Sequence, residues 1–79
     1  MRYPTFAQVE TADRVTLGKW LRFLASPGES AYYDDKDTPA IMEAIGNESN
    51  ILNRIAQRFH ELGGWTPEVS KAVGWWEHD

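Results

Sequence analysis

Residues 38–64 read TPAIMEAIGNESNILNRIAQRFHELGG, and this stretch decides the fold. Thr-Pro opens it and Gly-Gly closes it, which is typical of the two ends of a helix. Between these ends, apolar residues recur at intervals of three, four and seven: Ile41, Ile45, Leu52, Ile55, Phe59 and Leu62. Because this spacing places them on one helical face, the sequence predicts one long helix over about residues 39–62, against which the other segments pack.

The middle of this helix is its weak point, because residues 46–50 read GNESN and include no apolar residue. Four of the five are poor helix formers. In a continuous helix Glu48 falls within the apolar face, where a carboxylate needs a basic partner such as Arg22 or Lys19. If the helix ends at Gly46 and restarts after it, Glu48 lies exposed in a first turn, where its charge suits the helix dipole. We favour the continuous or kinked helix.

Capping signals predict two helices before residue 26. Thr5 followed by Gln8 three residues later is a capping-box pattern, and the short helix after it carries Phe6 and Val9. A second helix begins after an Asp13 cap and has an apolar face at helical spacing: Leu17, Trp20, Leu21 and Leu24. Glycine inside this second helix, at Gly18, usually serves the close approach of another element.

A short C-terminal helix is predicted over residues 67–73. Thr66 is its N-cap, Pro67 takes the first position and Gly74 ends it. No alternating run of β-branched residues indicates a strand. The sequence therefore predicts an all-α protein, a single domain over residues 1–79, built as a small bundle of three to four helices around the long one.

The predicted loop over residues 26–37 is the first candidate interaction surface. About twelve residues is long for a connection between helices, and such loops are often functional or mobile. The loop carries two tyrosines beside three carboxylates: Tyr32, Tyr33, Asp34, Asp35 and Asp37. Tyrosine with acidic groups suits a basic partner surface, and a solvated loop is the alternative.

The charge of the chain is concentrated around this loop. Residues 26–50 hold six acidic residues against one lysine, a net charge of −5, whereas residues 1–25 hold four basic residues against two acidic ones, a net charge of +2. The acidic segment is expected either to pair with the basic segment within the fold or to face a basic partner.

The aromatic residues near the C-terminus form the second candidate surface. Trp65, Trp75 and Trp76 bracket the short C-terminal helix. Two adjacent tryptophans at a helix end cannot both point inward, so at least one is expected to be partly exposed. The three rings are expected either to close a small core as a hydrophobic lid or to anchor a partner, because Trp is enriched in interface hot spots.

Composition limits the remaining classes of protein. The chain has 79 residues, a net charge of −4 and no cysteine, which excludes disulfides and thiolate zinc sites. With 42% hydrophobic residues it is too apolar for a disordered chain. No apolar run approaches the roughly 18 residues needed to span a bilayer, and the N-terminus has no signal-peptide apolar region. We expect a soluble, cytoplasmic protein without a membrane partner.

Catalytic, cofactor and metal sites are not predicted. The chain has no thiol, and its two histidines are His60, expected to face solvent, and His78 in the tail. Asp34, Asp35 and Asp37 resemble a fragment of a calcium loop but lack its glycine and its correctly spaced glutamate. We therefore expect a protein that is not an enzyme.

Residues 54–75 resemble the start of a helix-turn-helix unit, in which a helix ends at Gly and a Thr-Pro helix follows. In that family the segment like residues 66–73 precedes the recognition helix, and this sequence ends a few residues after Gly74. Phosphate would also be repelled by three nearby acidic residues, Glu68, Glu77 and Asp79. Direct binding of nucleic acid is therefore not expected, and a truncated helix-turn-helix accessory is kept as an alternative.

The front half of the chain contains ADRVTL at residues 12–17, WLRFL at 20–24 and SPG at 26–28, and the back half runs through RF, LGG and TPEVSK to Gly74-Trp75. In these segments, which cover most of the chain, the sequence resembles small phage-encoded proteins of unknown function. It implies a phage origin, the cytoplasm of a bacterial host and no assigned activity. Small phage proteins of this size often act by binding host proteins, for example defence complexes.

These observations favour a non-enzymatic accessory protein of phage type that acts by protein–protein interaction. Inhibition of a host defence or regulatory complex is one expected mode, and the partner is a host or phage protein, with a basic surface as one option. The alternatives are a self-assembling structural protein, with the Trp residues buried between copies, and the truncated helix-turn-helix accessory.

Overall fold

The fold is all-α, as predicted, in a computed structural model that describes residues 1–34 and 36–75. These residues form five helices and no strand: α1 (Phe6–Thr11), α2 (Arg14–Phe23), α3 (Glu29–Tyr33), α4 (Thr38–Glu61) and α5 (Pro67–Val73). The bundle has one helix more than the predicted three to four, the short helix α3, which lies inside the predicted loop. Five residues are too few for a periodic apolar pattern, so no helical periodicity marks this segment.

The long helix α4 runs without interruption through residues 46–50. Its N-cap is Asp37, whose side chain accepts the backbone N–H of Ala40 at 2.9 Å. Two glycines with positive φ follow its last turn, as is usual beyond a helix end. The continuous helix is therefore confirmed over Thr38–Glu61, within one residue of the predicted range at each end.

Glu48 is accommodated in this helix by a backbone group. Its Oε1 accepts the N–H of Gly28 at 2.8 Å, and neither Arg22 nor Lys19 bonds to it. The expectation of a basic partner was wrong, because Gly28 adopts a positive φ of 83° at the start of α3 and its amide meets the carboxylate. A Cβ on Gly28 would collide with Ile45, so this contact between α3 and α4 requires glycine.

The core lies around the second half of α4. Its buried apolar side chains come from α1, α2, α5 and that half: Val9, Leu17, Ile51, Ile55, Phe59, Val69 and Val73. The predicted apolar face is therefore only partly buried. Ile45 and Leu62 are exposed and Ile41 is half-buried, since the buried residues of α4 all lie in its second half and Leu62 is the C-cap residue beyond its last turn.

In α1 and α2 the predicted caps are present. Thr5 and Gln8 form the reciprocal capping box, and the side chain of Asp13 accepts the N–H of Thr16 at 2.8 Å. Val9 is fully buried, whereas Phe6, the other apolar residue predicted for α1, is 45% exposed. Phe6 is the first residue of a helix that presents a single buried position to the core.

Gly18 brings α2 and α5 together. A Cβ at this position would lie 2.8 Å from Val73 Cγ2 and within 3.3 Å of the rings of Phe59 and Trp65. Real Cβ atoms do not approach other atoms as closely as 2.8 Å, so the glycine allows the helices to pack at this distance. The expected close approach at Gly18 is thus confirmed.

Three arginines form hydrogen bonds with backbone carbonyls near the C-terminal ends of neighbouring helices. Helix C-termini leave carbonyl groups without intrahelical partners. Each arginine donates to carbonyl oxygens at or just beyond the C-terminal end of another helix: Arg14 to Gly64, Arg22 to Ser70 and Gly74, and Arg58 to Val9 and Ala12. The guanidinium group suits this role because it offers several donors in a fixed plane.

The expected pairing of acidic and basic segments within the fold does not occur among the described residues. The acidic side chains of Glu29, Asp37 and Glu48 accept backbone N–H groups instead. An ion pair joins Glu10 of α1 to Arg54 of α4 at 2.6 Å, and neither residue belongs to the acidic segment. The described acidic side chains of this segment therefore form no ion pair with the basic first segment.

We expect Gly18→Ala to lower the free energy of unfolding by about 1–2 kcal/mol, because the added methyl group overpacks a buried contact. The matched control is Gly46→Ala in α4, where an added Cβ meets nothing within 4 Å. That change should raise the free energy of unfolding by about 0.5–1 kcal/mol, the usual gain over glycine inside a helix. Urea denaturation of both variants measures the two effects, and effects of the same sign would contradict the packing at Gly18.

The Glu10–Arg54 pair should make stability depend on acid pH. The hydrogen bond from Arg54 lowers the pKa of Glu10 below its ordinary value of 4.5. A lowered pKa stabilises the folded state above the unfolded value, and this contribution is lost as pH falls through the folded pKa. Thermal melts from neutral pH down through the pKa of Glu10 measure the effect. The melting temperature should fall less with acid for Glu10→Gln than for wild type. Glu43→Gln on the exposed face of α4 is the control, and an unchanged profile in Glu10→Gln would contradict the prediction.

Candidate functional site

The predicted site residues divide between the two ends of α4. Tyr32 and Tyr33 lie in α3, Asp34 follows them as its C-cap, and Asp37 caps the start of α4. Trp65 and Trp75 come after the other end of α4, which is about 36 Å away at 1.5 Å per residue. These residues therefore form two separate surfaces and not one site. Two predicted residues, Asp35 and Trp76, lie outside the described residues.

The first surface is an arm, which we define as α3 with the first half of α4, residues 28–48. None of its described apolar side chains is fully buried. Tyr32 is 67% exposed, Tyr33 74% and Met42 64%, and Ile45 is also exposed. The two tyrosine rings contact each other edge to face, with centroids 5.6 Å apart. The arm thus extends from the core and carries large apolar groups in contact with solvent.

Acidic groups surround these apolar side chains. Asp34, Asp37 and Glu43 are exposed on the arm, and Lys36 is the basic residue among them. The Asp37 carboxylate also caps α4, so its negative charge is fixed in place at the helix start. The arm therefore combines exposed aromatic and aliphatic groups with a negative potential.

Sequence reasoning missed part of this surface. Met42 lies outside the predicted apolar face of α4, and Ile45 belongs to that face but is exposed. A signal was present: the apolar pattern stops at residues 46–50, which is where the core ends. The periodicity alone could not tell which half of the helix the other segments would cover.

The second surface is a clasp, which we define as Arg22 with Trp65 and Trp75. The Arg22 guanidinium carbon lies 4.5 Å from the Trp65 ring centroid and 4.3 Å from the Trp75 ring centroid. The same guanidinium donates to the Ser70 side chain at 3.0 Å and to the Gly74 carbonyl at 2.6 Å. Cation–π contacts and hydrogen bonds together fix the end of α5 against α2.

Trp65 also packs inward, since its ring meets the Phe59 ring edge to face with centroids 4.7 Å apart. It is 46% exposed, whereas Trp75 is 74% exposed. These internal contacts fit the interpretation of the tryptophans as a lid over a small core. Partner binding through Trp65 and Trp75 stays a prediction.

The structure offers little support for binding of a metal ion or of phosphate. His60 is exposed near the end of α4, as expected. Within residues 1–34 and 36–75, no three His, Cys, Asp or Glu side chains come together in a way that could hold a metal ion. Arg14, Arg22 and Arg58 donate to backbone carbonyls and Arg54 pairs with Glu10, which disfavours their use on phosphate.

No helix in the described part of the chain has both the length and the apolar character needed to cross a membrane. Comparison with family models, curated proteins and solved structures gives no match. The proposed function therefore rests on the surfaces of the chain itself.

We expect Arg22→Lys to lower the free energy of unfolding by about 2–3 kcal/mol, because lysine cannot keep both ring contacts and the forked hydrogen bonds. Arg54→Lys is the matched control at an exposed ion pair, which contributes about 0–1 kcal/mol. Urea denaturation followed by Trp fluorescence compares the two variants. Equal losses of stability would show that the clasp contributes no more than a surface pair.

Proposed function

We propose that this protein is a non-enzymatic interaction module that docks on a partner protein through the arm. The observation that carries the proposal is the exposure of Tyr32, Tyr33, Met42 and Ile45 on a segment that buries no large apolar side chain of its own. Aromatic residues and methionine are enriched at protein interfaces, and their burial supplies most of the binding free energy.

The charges of the arm indicate the chemistry of the partner. The acidic residues around the apolar groups favour a partner with an apolar recess bordered by lysine and arginine side chains. Such a rim would speed association and select against acidic partners. Because two copies of the arm carry the same negative charge, pairing of arm with arm is disfavoured.

The proposed setting is the cytoplasm of a bacterial host, with a phage-type accessory protein acting on a host defence or regulatory complex. The resemblance of the sequence to small phage-encoded proteins supports this setting, as does the small acidic surface that the arm offers to a basic protein. Inhibition would follow if the arm occupied a basic surface that the host complex needs for its own ligand.

Self-assembly through the Trp end is the second candidate, because Trp75 is largely exposed at the clasp. It requires a melting temperature that rises with protein concentration. The truncated helix-turn-helix accessory has weaker support, since the arginines that could contact phosphate bond within the protein.

The proposal is tested by capture from nuclease-treated host lysate with wild type, an arm variant and a control. The arm variant carries Tyr33→Ser and Met42→Ser, and the control carries Leu62→Ser, which replaces an exposed apolar residue outside the arm. Hot-spot residues contribute about 2 kcal/mol or more each, so we expect one stoichiometric host protein with wild type and control and its loss with the arm variant. All three should keep the same melting temperature.

Equal capture by the arm variant would overturn the arm as the docking surface. Recovery of the bait alone, with a melting temperature that rises with concentration, would replace the proposal with self-assembly. The captured complex should also weaken as salt is added, because its acidic and basic groups are screened.

A further inference from the structure

An open cleft of about 370 Å³ lies where the arm meets the core. Tyr3, Pro4 and Phe6 form one side of it, and residues of α4 form the other: Asn47, Glu48 and Ile51. Its volume is at the small end of the range for ligand sites, so it suits a single long side chain. Both Ile51, which is buried, and Phe6, which is exposed, line the cleft, so Phe6 offers it an apolar wall open to solvent.

The cleft is lined by one carboxylate, that of Glu48. Glu48 uses Oε1 to accept the Gly28 N–H, and no lysine or arginine within residues 1–34 and 36–75 forms an ion pair with it. The Tyr3 hydroxyl donates elsewhere, to the Ala25 carbonyl. Burial and then the negative charges of Glu48 and Glu29 raise the pKa of Tyr3, which is consistent with a negative potential at this wall.

A ligand for this cleft needs an apolar stem, a flat cationic tip and several hydrogen-bond donors. The stem would lie against Phe6 and Ile51, and the tip would reach Glu48 Oε2 and the side-chain oxygen of Asn47. Arginine meets these requirements better than lysine, because its planar guanidinium stacks on aromatic rings and donates in two directions.

We infer that the cleft binds an arginine side chain of the partner protein. This inference rests on the proposed function, since the cleft adjoins the arm at Glu48 and would be filled in the same docking event. It adds a specific anchor to the general attraction between an acidic arm and a basic rim.

The test uses a defined probe and does not need the partner. Nα-acetyl-arginine methylamide is titrated into nitrogen-labelled protein while amide chemical shifts are followed by NMR, and the neutral analogue Nα-acetyl-citrulline methylamide is titrated separately. We expect saturable shifts at the amides of Phe6, Asn47 and Glu48. The citrulline analogue should bind about tenfold more weakly, because it lacks the charge-assisted hydrogen bond.

Glu48→Gln should reduce arginine binding to the citrulline level. Its amide oxygen can still accept the Gly28 N–H, so the fold is preserved. Glu43→Gln, on the same helix but away from the cleft, is the matched control and should bind as wild type. Shifts that do not saturate, equal affinity for citrulline, or unchanged binding by Glu48→Gln would each overturn the inference.

The outcomes separate this inference from the proposed function. The arm variant with Tyr33→Ser and Met42→Ser should still bind the arginine probe, because neither residue lines the cleft. If that variant loses host-protein capture but the arginine titration fails, the arginine site in the cleft is contradicted and the docking role of the arm is supported. If arginine binds saturably but the arm variant still captures the host protein, the docking role of the arm is contradicted and the arginine site in the cleft is supported.

Discussion

The close approach of α2 and α5 at Gly18 is the constraint on which the rest of the core depends. Because this position has no Cβ, Val73 and the rings of Phe59 and Trp65 can meet over it. Arg22 lies one turn further along the same face of α2, and the short distance allows its guanidinium to reach the last carbonyls of α5. The glycine contact and the clasp therefore form one arrangement, in which helix packing sets the position of the cation.

The use of arginine within the protein also determines the charge of its surface. Arg14, Arg22 and Arg58 donate to carbonyls at helix ends, and among the described residues they form no ion pair with the acidic segment. In the acidic segment, three carboxylates accept backbone N–H groups instead: those of Glu29, Asp37 and Glu48. The arm therefore keeps a negative potential beside its exposed apolar groups, which is the combination on which the proposed docking depends.

Local signals in the sequence predict four of the five helices, all except α3. The caps at Thr5, Asp13 and Thr66 act on amides three residues ahead, so they can be recognised from the sequence alone. The contacts of Arg22 and the cleft at Glu48 join segments 20 or more residues apart, and no local pattern encodes them. The candidate tyrosines could be named from composition, whereas their exposure together with Met42 depends on which half of α4 is covered.

The continuity of α4 has a consequence for the order of the arm. Forming the first turn of a helix is the unfavourable step, and adding residues to an existing helix is much easier. The first half of α4 is about three turns long, which is too short to be stable as an isolated helix in water. The core, by burying Ile51, Ile55 and Phe59, supplies a nucleus from which helix can propagate backward through Gly46. The docking surface is thus ordered by cooperative extension of a buried helix and requires no core of its own.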